Sequence, residues 1–299
     1  MERDIIIIVE GGAMLGVFGA GVVTAFQEAN IYDRVHSVYG ASAGAHDLAY
    51  FLAAQADAQQ VKVGSSIYYE DLARQNFIRP YRLFRFLTDL IIRRFRPSHR
   101  IRHLLDLDYL MEVEKTSKKL NVRDIVRQPI PFFVAVYDIE NKRVVFVDGK
   151  QDTLQSLKAS SSAPPFYAET VEVRGRRYLD GGLIQNWDAD EIIRQHPGKK
   201  VVYVMNNKKS PWFTFVSLPY YCLEALLNVV GFGWGIGWTR LKNAFSYATE
   251  GKLRGFPNVT LVANALEFTN SITDPDKLLS IYHHGHEAGR AALQELDVV

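Results

Sequence analysis

The chain has 299 residues, 47% of them hydrophobic and 23% charged, an ordinary globular composition with ample length for a buried sheet. A formal net charge of +2 leaves no global electrostatic pull on a partner, so any basic surface must be local. One cysteine, Cys222, excludes an intrachain disulfide and fits a reducing compartment such as the cytoplasm.

Ile5 to Val9 is a continuous aliphatic run followed at once by glycines. It is too short for the core of a signal peptide and reads as a strand buried on both faces of a parallel sheet. Gly16 to Ala29 has helical spacing, with Val17, Gly21 and Phe26 at its apolar or small positions. Val35 to Tyr39 is a second β-like run, ending in Gly40-Ala41-Ser42-Ala43-Gly44, and Ala45 to Ala56 reads as the next helix. The opening is therefore strand, glycine loop, helix, strand, tight turn, helix.

Eight arginines lie between Arg79 and Arg102, against one acid, Asp89. Arg82, Arg85, Asp89, Arg93 and Arg96 share one side of a helical pattern, and Leu83, Phe86, Leu87, Leu90 and Ile91 fill the other. Such a helix suits either core packing with a solvated arginine face or peripheral contact with an anionic membrane. No nucleic-acid fold motif accompanies it, so nucleic acid is not an expected partner.

Further strands are expected at Pro131 to Tyr137, Arg143 to Val147, Val171 to Val173, Arg177 to Leu179, Val201 to Met205 and Val259 to Ala263. Arg174-Gly175-Arg176 reads as a hairpin turn. Pro211 to Trp238 is the most apolar stretch, with Glu224 its one charge. Its length could span a bilayer, but Pro219 and four glycines argue against a span. Its aromatic part, Trp212 to Trp238, suits an acyl-pocket wall, a membrane-dipping segment or plain core. The last helix is signalled by Asp274 as N-cap, Pro275 at N1 and an apolar pattern from Leu278 to Leu296. No linker-like shift divides residues 1–299, so one α/β domain is expected. Its motif-bearing part is about 5–206, and 207–299 supplies the aromatic segment and a helix packed on it.

Gly40-X-Ser42-X-Gly44 between a strand and a helix reads as a nucleophile turn. Small residues two before and two after let the chain turn sharply, and the following helix N-terminus favours a developing oxyanion. Glu10-Gly11-Gly12-Ala13-Met14-Leu15-Gly16 fits neither the dinucleotide nor the P-loop fingerprint, since Val17 and Phe18 stand where Lys and Ser/Thr are required. It instead suits an oxyanion hole built from backbone N–H groups. A serine nucleophile needs a base. Asp180, at a strand end before Gly181-Gly182, can serve. The order serine, aspartate, histidine also admits a triad with His283, His284 or His286. Those histidines sit inside a helical pattern, and His283 with His286 lacks a third ligand for a metal.

Three features in this order resemble the patatin-like phospholipase family: a glycine loop after the first strand, G-x-S-x-G soon after, and D-G-G much later. The stretch Ala159-Ser160-Ser161-Ser162-Ala163-Pro164-Pro165-Phe166, and Arg177 to Gly182 with Asn186, are similar to the family's segments around its aspartate. The resemblance implies a three-layer α/β/α patatin-like fold with a central mostly parallel sheet. It further implies hydrolysis of fatty acyl esters of phospholipids or lysophospholipids by a Ser42–Asp180 dyad without histidine, metal or cofactor. Gly11, Gly12 and Ala13 would form the oxyanion hole, and Gly16, Gly40, Gly44, Gly181 and Gly182 would support the motifs. There are departures. Ala13 stands for the family's third loop glycine, Leu15 for its basic residue, and Trp187-Asp188 where a proline follows the asparagine. A backbone hole is expected to accept Ala13 only at negative φ. A catalytically weak lipid-binding protein on the same fold is the competing expectation.

Overall fold

The computed structural model describes residues 3–59, 68–74, 77–164, 166–167, 169–184, 189–207, 251, 253–268 and 271–298. The expected Trp212–Trp238 segment, Asn186 and Trp187-Asp188 lie outside them.

The elements follow the hydrophobic pattern closely. β1 (Ile5–Val9) leads through the glycine loop into α1 (Val17–Glu28), then β2 (Val35–Ala41) and α2 (Ala43–Leu52). Short helices α3 (Tyr68–Arg74), α4 (Leu83–Phe95), α5 (Leu107–Lys115) and α6 (Val122–Arg127) precede β3 (Phe132–Asp138) and β4 (Arg143–Asp148). α7 (Thr153–Ser160), the hairpin of β5 (Val171–Val173) and β6 (Arg176–Asp180), and helices α8 (Gly181–Ile184) and α9 (Ala189–Gln195) follow. β7 (Lys200–Met205), β8 (Val259–Ala263) and α10 (Pro275–Glu295) complete the described chain.

The described strands form one sheet in the pairing order β5-β6-β3-β2-β1-β7-β8, with β4 also paired to β3. β1, β2, β3, β7 and β8 are mutually parallel, while β4 and β6 run antiparallel to β3. All five β1 residues are fully buried, as a central parallel strand with helices on both faces requires. Burying each such aliphatic side chain stabilises the fold by about 2 kcal/mol.

Alternation along the strands sorts the core into two layers. Ile5, Ile7 and Val9 face α1, α2 and α10 through Phe18, Val22, Leu48, Phe51 and Ile281. Ile6 and Ile8 face α9 through Ile192 and Ile193. This is the three-layer α/β/α arrangement. α1 and α10 cross at glycines: a side chain at Gly21 would strike the Tyr282 carbonyl, and one at Gly285 the Phe18 backbone. Removing both side chains lets the backbones approach closely. Asp274 caps α10 by accepting the N–H groups of Asp276 and Lys277, with Pro275 in the first turn.

Arg174 and Gly175 both have positive φ (52° and 79°), the backbone of a two-residue type I′ turn joining β5 to β6. The basic stretch differs from expectation. Its helix ends at Phe95, before Arg100 and Arg102. Asp89 is not on a solvated face. It is fully buried, taking the Arg102 guanidinium at 2.7 and 2.8 Å and His99 Nε2 at 3.0 Å, which folds residues 96–102 back onto α4. Ile91, expected on the same apolar side as Phe86 and Leu90, is instead exposed together with Tyr81, Phe84 and Phe95. Phe86 and Leu90 are the buried side of α4. Among the described residues, no helix is long and apolar enough to cross a membrane.

Candidate active site

Ser42 ends β2 and opens α2 at φ 49° and ψ −126°, a backbone that L-residues adopt only under constraint. The constraint is steric. A Cβ at Gly44 would fall 2.5 Å from the Glu10 carbonyl oxygen, and one at Gly40 would fall 2.5 Å from Ala45 Cα. The two glycines therefore let the end of β1 and the start of α2 close around the serine. Ser42 is half-buried, and its carbonyl accepts the Ala45 N–H at 2.9 Å.

The aspartate reaches the same place from the opposite direction. β4 covers one edge of β3 from Phe133 to Asp138. The other edge is shared: β2 pairs with it up to Ala41 opposite Ala135, and antiparallel β6 takes over with Asp180 opposite Val136. The C-terminal ends of β2 and β6 thus meet head to head on one edge of β3, at consecutive residues. Asp180 is buried, and its N–H donates to the Ser162 carbonyl at 2.9 Å. Gly181 passes against the Ala135–Val136 peptide, where a Cβ would lie 2.8 Å from backbone. A Cβ at Gly182 would lie 3.0 Å from Ala41 Cβ and 3.6 Å from Asp180 Oδ1, so the turn after Asp180 packs beside the residue preceding Ser42.

The glycine loop closes the third side. A Cβ at Gly11 would start 3.0 Å from Ser42 Cβ and 3.8 Å from its Oγ. The N–H groups of Gly11 and Gly12 make no hydrogen bond to another described residue and remain open donors. Gly16 packs against Ala43 and the Tyr69 hydroxyl. Ala13 sits at φ 47°, so the condition of negative φ for an alanine in the hole is not met. The loop keeps the left-handed conformation that suits glycine, and Ala13 bears the strain. Leu15 is buried in the main core, so this position points into packing rather than toward a ligand.

Several polar residues brace the site that sequence reasoning did not assign to it. Asn206 Nδ2 donates to the Glu10 carbonyl at 2.6 Å while its Oδ1 accepts the Gly19 N–H at 2.9 Å. Asn207 Nδ2 donates to the Gly11 carbonyl at 2.9 Å. These asparagines pin the glycine loop from the end of β7, and their signal was a polar pair directly after an apolar strand. The serine run does similar work. Ser160 Oγ accepts the Ser42 N–H, Ser161 Oγ meets His46 Nε2 at 2.8 Å, and the Ser162 hydroxyl donates to the Glu169 carbonyl at 2.6 Å. His46 Nδ1 meets Glu114 Oε1 at 2.5 Å, with both side chains fully buried.

The three histidines of α10 are engaged elsewhere. His286 Nε2 lies 2.8 Å from Glu28 Oε2, His284 Nε2 accepts the Ala265 N–H at 3.3 Å, and His283 is exposed with its ring against Tyr282. Among the described residues none of them interacts with Ser42 or Asp180. No group of three or more His, Cys, Asp or Glu among these residues is placed to hold a metal ion.

The patatin-like phospholipase family model matches residues 7–193, more than half of the chain and all of the geometry above except the asparagines of β7 and the α10 histidines. The chain belongs to the patatin-like phospholipase family. Membership supports lipid hydrolase activity. This chain is 27% identical over 238 residues to the uncharacterized protein YjjU of Escherichia coli (strain K12). The match takes in 76% of this chain but 60% of YjjU, so the chain spans less than two thirds of that curated relative. Among solved structures it is similar to VipD from Legionella pneumophila, at 13% identity and a TM-score of 0.46, covering 98% of this chain and 67% of VipD. It is also similar to the type III effector ExoU, at 11% identity and a TM-score of 0.41, covering 98% of this chain and 53% of ExoU. The family membership rests on the sequence match, not on these distant likenesses.

Proposed function

We propose that the protein is a serine acyl hydrolase that cleaves fatty acyl esters of phospholipids or lysophospholipids, with Ser42 as nucleophile and Asp180 as general base. The observation that carries this reading is the head-to-head meeting of β2 and β6 on one edge of β3. In this reading Asp180 takes the Ser42 hydroxyl proton as Oγ attacks the acyl carbonyl. The open N–H groups of Gly11 and Gly12 stabilise the oxyanion, and Ala13 contributes at the cost of its strained positive φ rather than at the negative φ set as its condition. The intermediate collapses with loss of the lysolipid or alcohol, to which Asp180 returns the proton. Water, deprotonated by Asp180, then releases the fatty acid and regenerates Ser42. A carboxylate is a weak base for a hydroxyl, so the rate depends on close geometry, on the burial of Asp180 and on the hole. The engagement of His283, His284 and His286 with other partners favours the dyad over a triad.

Contact with the lipid surface belongs to the same reading. Phe84, Ile91 and Phe95 recur at helical spacing on the exposed side of α4, with Tyr81 exposed just before it; Phe84 is 81% and Phe95 80% exposed. Arg85 on α4 and Arg96 just past its end are exposed as well, while Arg93 is paired with Glu169 at 3.1 Å. An exposed apolar stripe on a helix that also carries exposed arginines suits insertion at an anionic bilayer surface.

Product analysis on mixed phospholipid and lysophospholipid substrates tests the chemistry. Wild type is expected to release free fatty acid, and Ser42→Ala and Asp180→Asn to release none above background. Full activity in either variant would falsify the dyad. A fluorophosphonate probe should label wild type and leave Ser42→Ala unlabelled.

A further inference from the structure

We infer that a cavity beside the start of α4 is a phosphate site for the headgroup of an anionic phospholipid. The inference rests on the lipid-surface reading above and is independent of the dyad. The cavity has a volume of about 320 Å³, and its walls include Arg79, Arg82, Arg100, Arg102, His103 and Tyr167.

Charge matching singles out two of these residues. The carboxylates in the wall are already taken: Arg79 holds Asp106 at 2.6 Å, and Lys158 holds Asp108 at 2.8 Å. Arg102 is held by Asp89. Arg82 and Arg100 form no salt bridge with a described carboxylate; the Arg82 guanidinium lies 5.8 Å from the centre of the Tyr81 ring. Two guanidinium groups without a salt bridge to a described carboxylate, in one concavity, suit an anion; Arg100 feels Asp108 only at longer range. A phosphate monoester carries close to two negative charges and several acceptor oxygens, and the guanidinium fork matches such oxygens in pairs.

Position selects the lipid over a soluble phosphate. Arg82 precedes α4 directly and stands between Tyr81 and Phe84, the first two members of the exposed apolar stripe. A headgroup held by Arg82 and Arg100 would leave its acyl chains beside that stripe. The stripe supplies general surface affinity, and the cavity supplies preference among headgroups.

Vesicle binding by the full chain carrying Ser42→Ala tests this without turnover. Phosphatidylcholine vesicles containing phosphatidic acid, a phosphate monoester, are compared with vesicles containing phosphatidylserine at matched surface charge. A preference for phosphatidic acid of roughly tenfold is expected. Arg82→Gln with Arg100→Gln should abolish the preference with little change in thermal stability, because neither arginine forms a salt bridge with a described carboxylate. Arg85→Gln with Arg96→Gln removes the same charge outside the cavity, and should weaken binding to both vesicles equally with the preference kept. Equal behaviour of the two pairs would overturn the site. Inorganic phosphate binding that depends on Arg82 and Arg100, with no preference between vesicles, would overturn the lipid assignment. Unchanged vesicle binding in Phe84→Ser with Phe95→Ser would sink the lipid-surface reading itself, leaving the hydrolase reading to its own test.

Discussion

Ser42 and Ser160 are joined by a hydrogen bond of 2.8 Å from the Ser42 N–H to the Ser160 Oγ, and Ser160 donates in turn to the Ala135 carbonyl at 2.7 Å. A hydroxyl from the end of α7 therefore ties the strained turn to the centre of β3. Ser160→Ala removes the acceptor of the Ser42 N–H and should let the turn relax. With Ser42 as the proposed nucleophile, the expected result is a fall in kcat of about tenfold to a hundredfold, since small displacements of a nucleophile are costly. KM should change little, and stability should drop by about 1–2 kcal/mol. Steady-state kinetics beside a melting curve separates the two effects.

Ala13→Gly should stabilise the protein, against the usual sign for glycine. An alanine at φ 47° bears about 1–2 kcal/mol of strain, and a glycine loses roughly 0.5–1 kcal/mol more backbone entropy on folding. The net gain expected is up to about 1.5 kcal/mol, seen as a small rise in Tm. Ala13→Val should lower Tm, because a β-branched side chain tolerates positive φ worse.

Asp89→Asn should release residues 96–102 from α4 at a cost of about 2–3 kcal/mol, the loss expected on breaking a buried ion pair with one solvent-reachable partner. The Arg102 hydrogen bonds hold the Asp89 carboxyl below its ordinary range. A carboxyl depressed in the native state adds stability above its unfolded pKa, near 4, and loses it as pH falls through the lower native value. Acid titration of wild type should therefore loosen α4 below about pH 4, and the variant should lack that component. Hydrogen exchange of the 83–102 amides reads both outcomes.

His46→Phe should cost about 3–5 kcal/mol, because it strands the fully buried Glu114 carboxylate. The double variant His46→Phe with Glu114→Leu should recover a large part of the loss. Denaturant melts of the cycle measure the coupling. Additive losses would show that the pair is not coupled.

The strands of the sheet were legible because their chemistry is local. Ile5–Val9 and Val201–Met205 are apolar runs without breaks, and a buried parallel strand looks like nothing else. The hairpin at Arg174-Gly175 was equally plain, since the turn type selects the glycine. α4 was misread in part because helical periodicity reports which residues share a face, not which face is covered. Only the return of Arg102 onto Asp89 decides that, and the return is a tertiary event. Ser42 and Asp180 stood out as glycine-flanked residues at strand ends. Ser160, His46, Glu114 and Asn206 did not, because a buried polar residue shows its role only when a partner far along the chain reaches it. Ala13 is a sharper case. Its side chain suggested a changed loop, yet the surrounding packing imposes the glycine-like backbone on it.

The crossing of Gly21 and Gly285 has a consequence for synthesis on the ribosome. α1 ends at Glu28, but the helix that covers its glycine face begins only at Pro275. At ordinary elongation rates the gap is roughly ten to fifty seconds. Throughout it Phe18 and Val22 lack the neighbours that bury them. A nascent chain halted before α10 should therefore bind chaperones and resist compaction, and protection of α1 from proteolysis should appear only after residue 289 has left the exit tunnel.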